Sequence, residues 1–352
     1  MKYNLNLLRS IISLIRKKTI IKNHPIHLQI EPTTSCNLNC NFCISKFDRS
    51  NKMMSYSNFK KIMDIFHPNS VTFSGRGEPL LNLDLQRMID YCKQTKIVTS
   101  ITTNFTLGGE LSDDLIKAGV GSIRVSIDSS NKNTYKKIRG VDSFDSIIDG
   151  INKINSIKAK YKLKRPFLFF EYVILDDNFF EIPSILKLAS KININYINFR
   201  FLQVYDKILD KKSDLIGKIT HKKNKDKLNE YLSIADDLGV NTNLDEIILN
   251  WGDYCNYCNL KKTPKQTECL HPWLQCFVSC DGQVAPCCSL LDNEGESFGN
   301  IFTHDFYSVW NGEKFRAIRG AFVNKKTIYN SCKTCPSKDI SFFIKKAFKY
   351  KF

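Results

Sequence analysis

"IHLQIEPTTSCNLNCNFC" spans residues 26–43. Its first part alternates apolar and polar residues, as a short half-buried strand does. Its second part places Cys36, Cys40 and Cys43 within eight residues, with C-x3-C-x2-C spacing. A structural zinc site takes four ligands, and a disulfide takes two cysteines. Three thiols just after a strand therefore define a donor set with one place left over.

The strand pattern recurs along the chain. It is seen in "SVTFSG" (70–75), "KIVTSITTN" (96–104), "GSIRVSID" (121–128), "PFLFFEYVIL" (166–175) and "INYINFRFLQ" (194–203). Helical patterns lie between them, including "LSDDLIKAG" (111–119), where Gly119 is the expected stop, and "EIPSILKLAS" (181–190). Strands alternating with helices imply a parallel sheet. Six such units predict an α/β chain with a partial (β/α)6 TIM-like barrel. Active sites of such folds form at the C-terminal strand ends. Here those ends carry the cysteine loop, "SGRGEPLLN", "TTN" (102–104) and "SID" (126–128), so the chemistry-bearing residues fall on one rim.

The C-x3-C-x-aromatic-C spacing, with Phe42 as the aromatic, resembles the signature of the radical S-adenosylmethionine (SAM) superfamily. The resemblance implies a 4Fe–4S cluster on Cys36, Cys40 and Cys43, with one iron free to take SAM. "GRGEP" resembles the motif that receives the SAM amino group, with Glu78 as acceptor and Gly75 and Gly77 allowing close backbone approach. Many members have two adjacent glycines before the glutamate; here Arg76 stands between them. Ser126 and Asp128 resemble residues that bond the SAM ribose, and Asn104 is expected to face the site. Arg139, in "YKKIRG" (135–140), is expected to meet the SAM carboxylate. The implied chemistry is reductive cleavage of SAM to methionine and a 5′-deoxyadenosyl radical, which abstracts hydrogen from a substrate. A flavodoxin or ferredoxin would supply the electron. A zinc knuckle with a borrowed fourth ligand is the alternative for the three thiols.

A second cysteine set follows. Cys269, the Asp281-Gly282 turn, the Gly-x4-Cys step ending at Cys287, "GNI" (299–301), Trp310-Asn311 and the C-x2-C at Cys332 and Cys335 resemble the SPASM/twitch accessory domains of radical SAM enzymes. A full SPASM domain has three further cysteines after the C-x2-C, whereas no cysteine follows Cys335 in this chain. The resemblance therefore implies one auxiliary 4Fe–4S cluster, on Cys269, Cys287, Cys332 and Cys335, with Cys288 the alternative to Cys287. Cys255, Cys258, Cys276 and Cys280 read either as another metal site or as small core residues. Cys92, Trp273 and Trp310 are expected in the core.

The expected organisation is an amphipathic helix over 1–25, a radical SAM core over 26–240 and a small α+β SPASM/twitch-like domain over 241–352, where helical periodicity fades. The helix is expected to pack on the domain, with contact to an anionic membrane surface as the alternative. No run of about 18 apolar residues suggests a membrane span. Thirteen clustered cysteines and no secretion signal point to metal ligation in a reducing, cytoplasmic setting. The net charge of +17 is spread along the chain, and the basic stretch Lys207 to Lys227 has no interleaved aromatic, so nucleic acid is not the expected partner.

The closest architecture implied is a twitch-type dehydrogenase acting on a sugar or aminocyclitol-like small molecule, with electron transfer to the auxiliary cluster. The alternatives are a peptide maturase acting on a ribosomally made precursor and a non-catalytic iron–sulfur or zinc binding module.

Overall fold

The computed structural model describes residues 2–47, 50–203, 215–219, 224–258, 269–333 and 335. In chain order the elements are α1 (Lys2–Ile15), β1 (His27–Ile30), α2 (Tyr56–Phe66), β2 (Ser70–Phe73), α3 (Leu85–Gln94), β3 (Val98–Thr103), α4 (Gly108–Ala118), β4 (Ser122–Ser126), α5 (Lys132–Arg139), α6 (Phe144–Lys160), β5 (Phe167–Ile174), α7 (Ile182–Lys191) and β6 (Tyr196–Phe201). Then come α8 (Asn224–Asp237), α9 (Leu244–Cys258), α10 (His271–Leu274), β7 (Gln275–Val278), β8 (Val284–Ala285), α11 (Cys288–Glu294), α12 (Phe306–Trp310), α13 (Glu313–Val323) and α14 (Asn330–Lys333). Most of the stretch from Lys207 to Lys227 lies outside the described residues.

All six expected strands form. Among the described residues, eight strands make one unclosed sheet in the order β6-β5-β4-β3-β2-β1-β7-β8. β1 to β6 pair in parallel, giving the partial barrel. The two additional strands come from the C-terminal region. β7 pairs in parallel with β1, and β8 returns antiparallel through the Asp281-Gly282 turn, where Gly282 has φ +85°. The C-terminal cysteine region is thus continuous with the barrel sheet. Helices persist there too, as α9 and α13 show, in keeping with the expected α+β character, although helical periodicity fades in the sequence past residue 240. Their apolar stripes are short and interrupted by glycine, which hides the period.

Strand alternation sorts the side chains into two faces. Leu28, Ile30, Val71, Phe73, Ile101, Ile123, Val125, Phe170 and Phe199 point toward the helices and are at most 1% exposed. Each such burial contributes roughly 1.5–3 kcal/mol. The concave face carries cross-strand bonds His27–Ser70, Gln29–Ser74 and Ser100–Ser122, with Phe169, Tyr196 and Phe277 among them. The helices carry ordinary stops and caps: Gly119, left-handed at φ +82°, closes α4, and Ser55 accepts from the Asn58 amide at the start of α2.

The C-terminal region and the N-terminal segment lock together at the strand-start end. Trp310 Nε1 donates to Asn23 O at 2.9 Å, and Trp273 Nε1 donates to Lys18 O at 2.7 Å. Both tryptophans and Cys92 are buried, as expected. α1 does pack on the domain, but through Asn6, Ser10 and Ser13 rather than through its apolar stripe. No described helix is long and apolar enough to cross a membrane.

Candidate cluster and cofactor site

The cysteine loop sits on the rim between β1 and the C-terminal end of α5. Asn39 N donates to Arg139 O at 3.3 Å, and Asn41 N donates to Ile138 O at 3.0 Å. Gly140 closes α5 in the left-handed conformation, and a Cβ there would stand 2.7 Å from Asn39 O. The "YKKIRG" segment therefore seats the loop through its backbone. The downstream arm is tied to the β7–β8 turn by the Lys52–Asp281 ion pair at 2.7 Å.

"GRGEP" forms the second wall. Glu78 N donates to Ser35 O at 2.7 Å, and a Cβ on Gly77 would lie 2.3 Å from Thr33 O. Only glycine lets the two loops come this close. Arg76, which departs from the family pattern, is an anchor: its Nε and Nη2 reach the two oxygens of buried Glu31 at 3.1 and 3.2 Å. Glu78 is itself buried. Its Oε1 accepts from Thr103 Oγ1 at 2.5 Å and Leu80 N at 3.0 Å, and its Oε2 accepts from Asn104 N at 2.6 Å. A carboxylate offers about four lone-pair positions, so one remains on Oε2 for a donor such as an ammonium. Burial raises the Glu78 pKa, against the lowering effect of these bonds. Asn104 is turned by its side chain toward the cysteine loop, donating to Asn37 Oδ1 at 2.8 Å.

Asp128 and Arg139 meet in the third wall. Asp128 Oδ1 accepts from Val173 N at 2.8 Å, and Oδ2 lies 2.5 Å from Arg139 Nη2. Arg139 Nη1 reaches Cys40 Sγ at 3.7 Å, and the guanidinium lies 5.5 Å from the centre of the Phe42 ring. The guanidinium expected at the SAM carboxylate is thus held between Asp128 and the cysteine loop. Asp128 Oδ2 and Arg139 Nε are buried and lack hydrogen bonds of good geometry. Ser126, half-buried, ends β4 two residues before Asp128.

The donor chemistry fits an iron–sulfur cluster with SAM beside it. The three thiols lie near enough to act on one another, with the buried Arg139 Nε still to be satisfied beside them. Burial pushes the Cys36 thiol up to about 11 and raises Cys40, although Arg139 opposes the latter. Thiolates in such a place need a positive metal centre. Cys43 Sγ also contacts Ser45 Oγ at 2.8 Å.

The second set gathers at α11 and α14, which pack together. Cys287 precedes α11, and its thiol is raised by burial and then by the nearby Cys288, Cys335 and Cys269. Burial pushes Cys269 up to about 12. Cys335 N lies 3.4 Å from Cys332 O, so the C-x2-C turns back on itself. Cys287 thus has Cys269, Cys335 and Cys288 near it, and Cys332 is joined to them through the turn at Cys335. Cys255, Cys276 and Cys280 are buried in the core. Among the described residues no group of three His, Cys, Asp or Glu forms a single-ion site; the Cys258 side chain lies outside them.

These sites and the sheet define the class: the chain carries a radical SAM domain, whose superfamily model matches residues 30–189. An iron–sulfur cluster-binding SPASM domain matches residues 269–336. It is an enzyme whose cofactors are SAM, the SAM-binding cluster and an auxiliary iron–sulfur cluster. Among curated relatives, the "tungsten-containing aldehyde ferredoxin oxidoreductase cofactor-modifying protein" of Pyrococcus furiosus is 23% identical over 91% of this chain and 89% of its own. A probable GTP 3′,8-cyclase of Saccharolobus solfataricus is 36% identical over 35% of this chain and 42% of its own. Among solved structures, Streptococcus suis SuiB has a TM-score of 0.64 at 17% identity, covering 97% of this chain and 78% of that one. The structure of anSMEcpe with bound AdoMet has a TM-score of 0.60 at 18% identity, covering 88% and 87%.

Several features escape a sequence reading. The Arg76–Glu31 fork, the Asn37–Asn104 bond and the Gln203–Ser289 bond each join residues far apart in the chain. The adjacent-glycine departure at Arg76 was the one visible signal for the first. Glu171 and Arg200 were legible as strand polar residues, but not their joint partner Arg124.

Proposed function

We propose that this chain oxidises a hydroxyl-bearing small molecule, sugar or aminocyclitol-like, seated against the concave face of the sheet. In this reading Cys36, Cys40 and Cys43 hold the SAM-binding cluster. Gly75, Gly77, Glu78, Asn104, Ser126, Asp128 and Arg139 form the SAM cradle. Cys269, Cys287, Cys332 and Cys335 hold the auxiliary cluster. When bound, these groups supply a hydrogen-abstracting 5′-deoxyadenosyl radical on one side and an electron acceptor on the other. A flavodoxin or ferredoxin as donor and a cytoplasmic setting belong to the same proposal, as does a boundary between core and auxiliary domain near residue 240.

The observation that carries the substrate class is the charge network on the concave wall. Toward its β6 edge Glu171 accepts from Arg124 Nη1 at 2.7 Å, Arg200 Nε at 2.7 Å and Asn198 Nδ2 at 2.6 Å. Burial alone would raise the Glu171 carboxyl, but Arg200 and Arg124 hold it down at about 2. A fixed charge network of this kind suits hydroxyl groups better than an apolar surface. The experiment is anaerobic incubation of the reconstituted enzyme with reductant, SAM and a panel of sugars and aminocyclitols. Substrate-dependent 5′-deoxyadenosine with a matching ketone supports the reading.

A second reading is peptide modification. SuiB has been solved with its precursor peptide SuiA and anSMEcpe with a Cp18Cys peptide, and both share the fold at TM-scores of 0.62 and 0.58. Peptide-dependent 5′-deoxyadenosine release, with none from the small-molecule panel, would favour it.

A further inference from the structure

α1 is mounted the wrong way round for a helix that faces water. A surface helix of a globular protein normally turns its apolar stripe inward. Here the inward stripe is Asn6, Ser10 and Ser13, with only Leu14 partly buried beside it. Asn6 makes a reciprocal pair with His24, donating from Nδ2 to His24 O at 3.1 Å and accepting from His24 N at 2.9 Å. Leu5, Leu7, Leu8, Ile11, Ile12 and Ile15 face outward, from 38% exposed at Ile12 to 74% at Ile15. At 3.6 residues per turn they cover an arc of about 160°.

The charge around this arc has one sign. Residues 1–30 hold six lysines and arginines and no aspartate or glutamate. Arg9 lies at one edge of the apolar arc on α1, and Arg16, Lys17, Lys18 and Lys22 follow the helix, all exposed. Among the described residues none of these five is in an ion pair with an acid. The place in the fold matters as well. α1 is tied to His24 and lies beside α10, which come just before β1 and β7. It therefore sits at the strand-start end of the sheet, away from the cysteine rim.

We propose that α1 is an interfacial helix that docks this enzyme on an anionic lipid bilayer, with its active-site rim facing away. A second protein or a second copy would need acidic groups to answer the basic fringe. An anionic bilayer offers both the apolar layer and the negative surface in one plane. The fixed polar docking of α1 means that the apolar arc is presented without unfolding.

The test is flotation of the anaerobically reconstituted full chain with phosphatidylcholine vesicles containing or lacking phosphatidylglycerol. The expected result is at least tenfold more protein on the anionic vesicles, falling as salt rises and charges are screened. The triple variant Leu8→Gln, Ile12→Gln, Ile15→Gln should lose that binding while keeping its iron content and melting temperature, since these side chains are exposed and lie outside the core cluster. A second variant, Arg9→Gln with Arg16→Gln, should weaken binding to anionic vesicles only. No flotation of the wild type, or equal flotation of the triple variant, overturns the proposal. So does a wild-type dimer that the triple variant converts to monomer without any lipid binding, since the arc would then join two copies.

Discussion

Arg139 joins two walls of the site: its Nη2 lies 2.5 Å from Asp128 Oδ2, while its Nη1 reaches Cys40 Sγ at 3.7 Å. Both side chains are buried, so neither charge has water to fall back on. Removing one partner of a buried pair typically costs about 3–5 kcal/mol. Arg139→Met should therefore lower the stability of the reconstituted protein by about that amount and reduce iron retention at the first cluster. Asp128→Asn in the same background should recover part of the loss. Thermal unfolding and iron analysis of the single and double variants check this; an unchanged melting point for Arg139→Met would contradict it.

Gly77→Ala tests the seating of the two loops. Its Cβ would stand 2.3 Å from Thr33 O and 2.5 Å from Ser35 O, both backbone atoms. The loop must shift, and the cysteine arm attached through Ser35 must shift with it. The expected outcome is a chain that still folds but loses most of its first-cluster iron, read by iron content and the cluster's electronic spectrum. Gly109→Ala, where a Cβ meets nothing within 4 Å, is the control that should behave as wild type.

Glu171→Gln tests the concave wall. It keeps the shape but leaves Arg124 and Arg200 without their counter-charge. Product formation should fall by about tenfold or more, equivalent to about 1.4 kcal/mol. SAM cleavage without substrate should continue, because Glu171 is not in the proposed SAM cradle. Equal loss of both would place the residue in the cofactor site instead.

His27 and His271 predict a pH dependence of stability. Burial holds both rings down to about 4, from an ordinary value near 6.5, with mutual repulsion adding to it at His27. Above the ordinary value both folded and unfolded chains hold neutral rings, and the groups contribute no slope. As pH falls below it, the unfolded chain takes up protons that the folded chain refuses, so stability falls until about pH 4. Each ring keeps some solvent contact, so about 1 kcal/mol per histidine between pH 6.5 and 5.5 is an upper figure. His27→Gln should flatten the acid side of a melting-temperature profile relative to wild type.

The strands and the rim were legible because each rests on local order. Period-two alternation marks β1 to β6, and the cysteine spacing marks the cluster loop. β7 was legible only as a short stretch that could place Cys276 in the core, with a metal site as the alternative; its place in the sheet was not. Its parallel pairing with β1 depends on a partner nearly 250 residues away in the chain. The stripe of α1 was read correctly as amphipathic, but the period cannot say which face docks; Asn6 and His24 decide that by a long-range hydrogen-bond pair. Arg139 shows the same limit within the site. Its position beside the motif was visible, whereas its engagement with Asp128 and Cys40 needed the fold.

Two clusters held by different numbers of thiols are tested most directly by iron and sulfide per chain after anaerobic reconstitution. The measurement should be made on the wild type, on Cys36/Cys40/Cys43→Ala and on Cys269/Cys287/Cys332/Cys335→Ala. About eight irons are expected in the wild type and about four in each variant, as two four-iron clusters require. About four irons in the wild type, lost entirely in the first variant and unchanged in the second, would contradict that expectation.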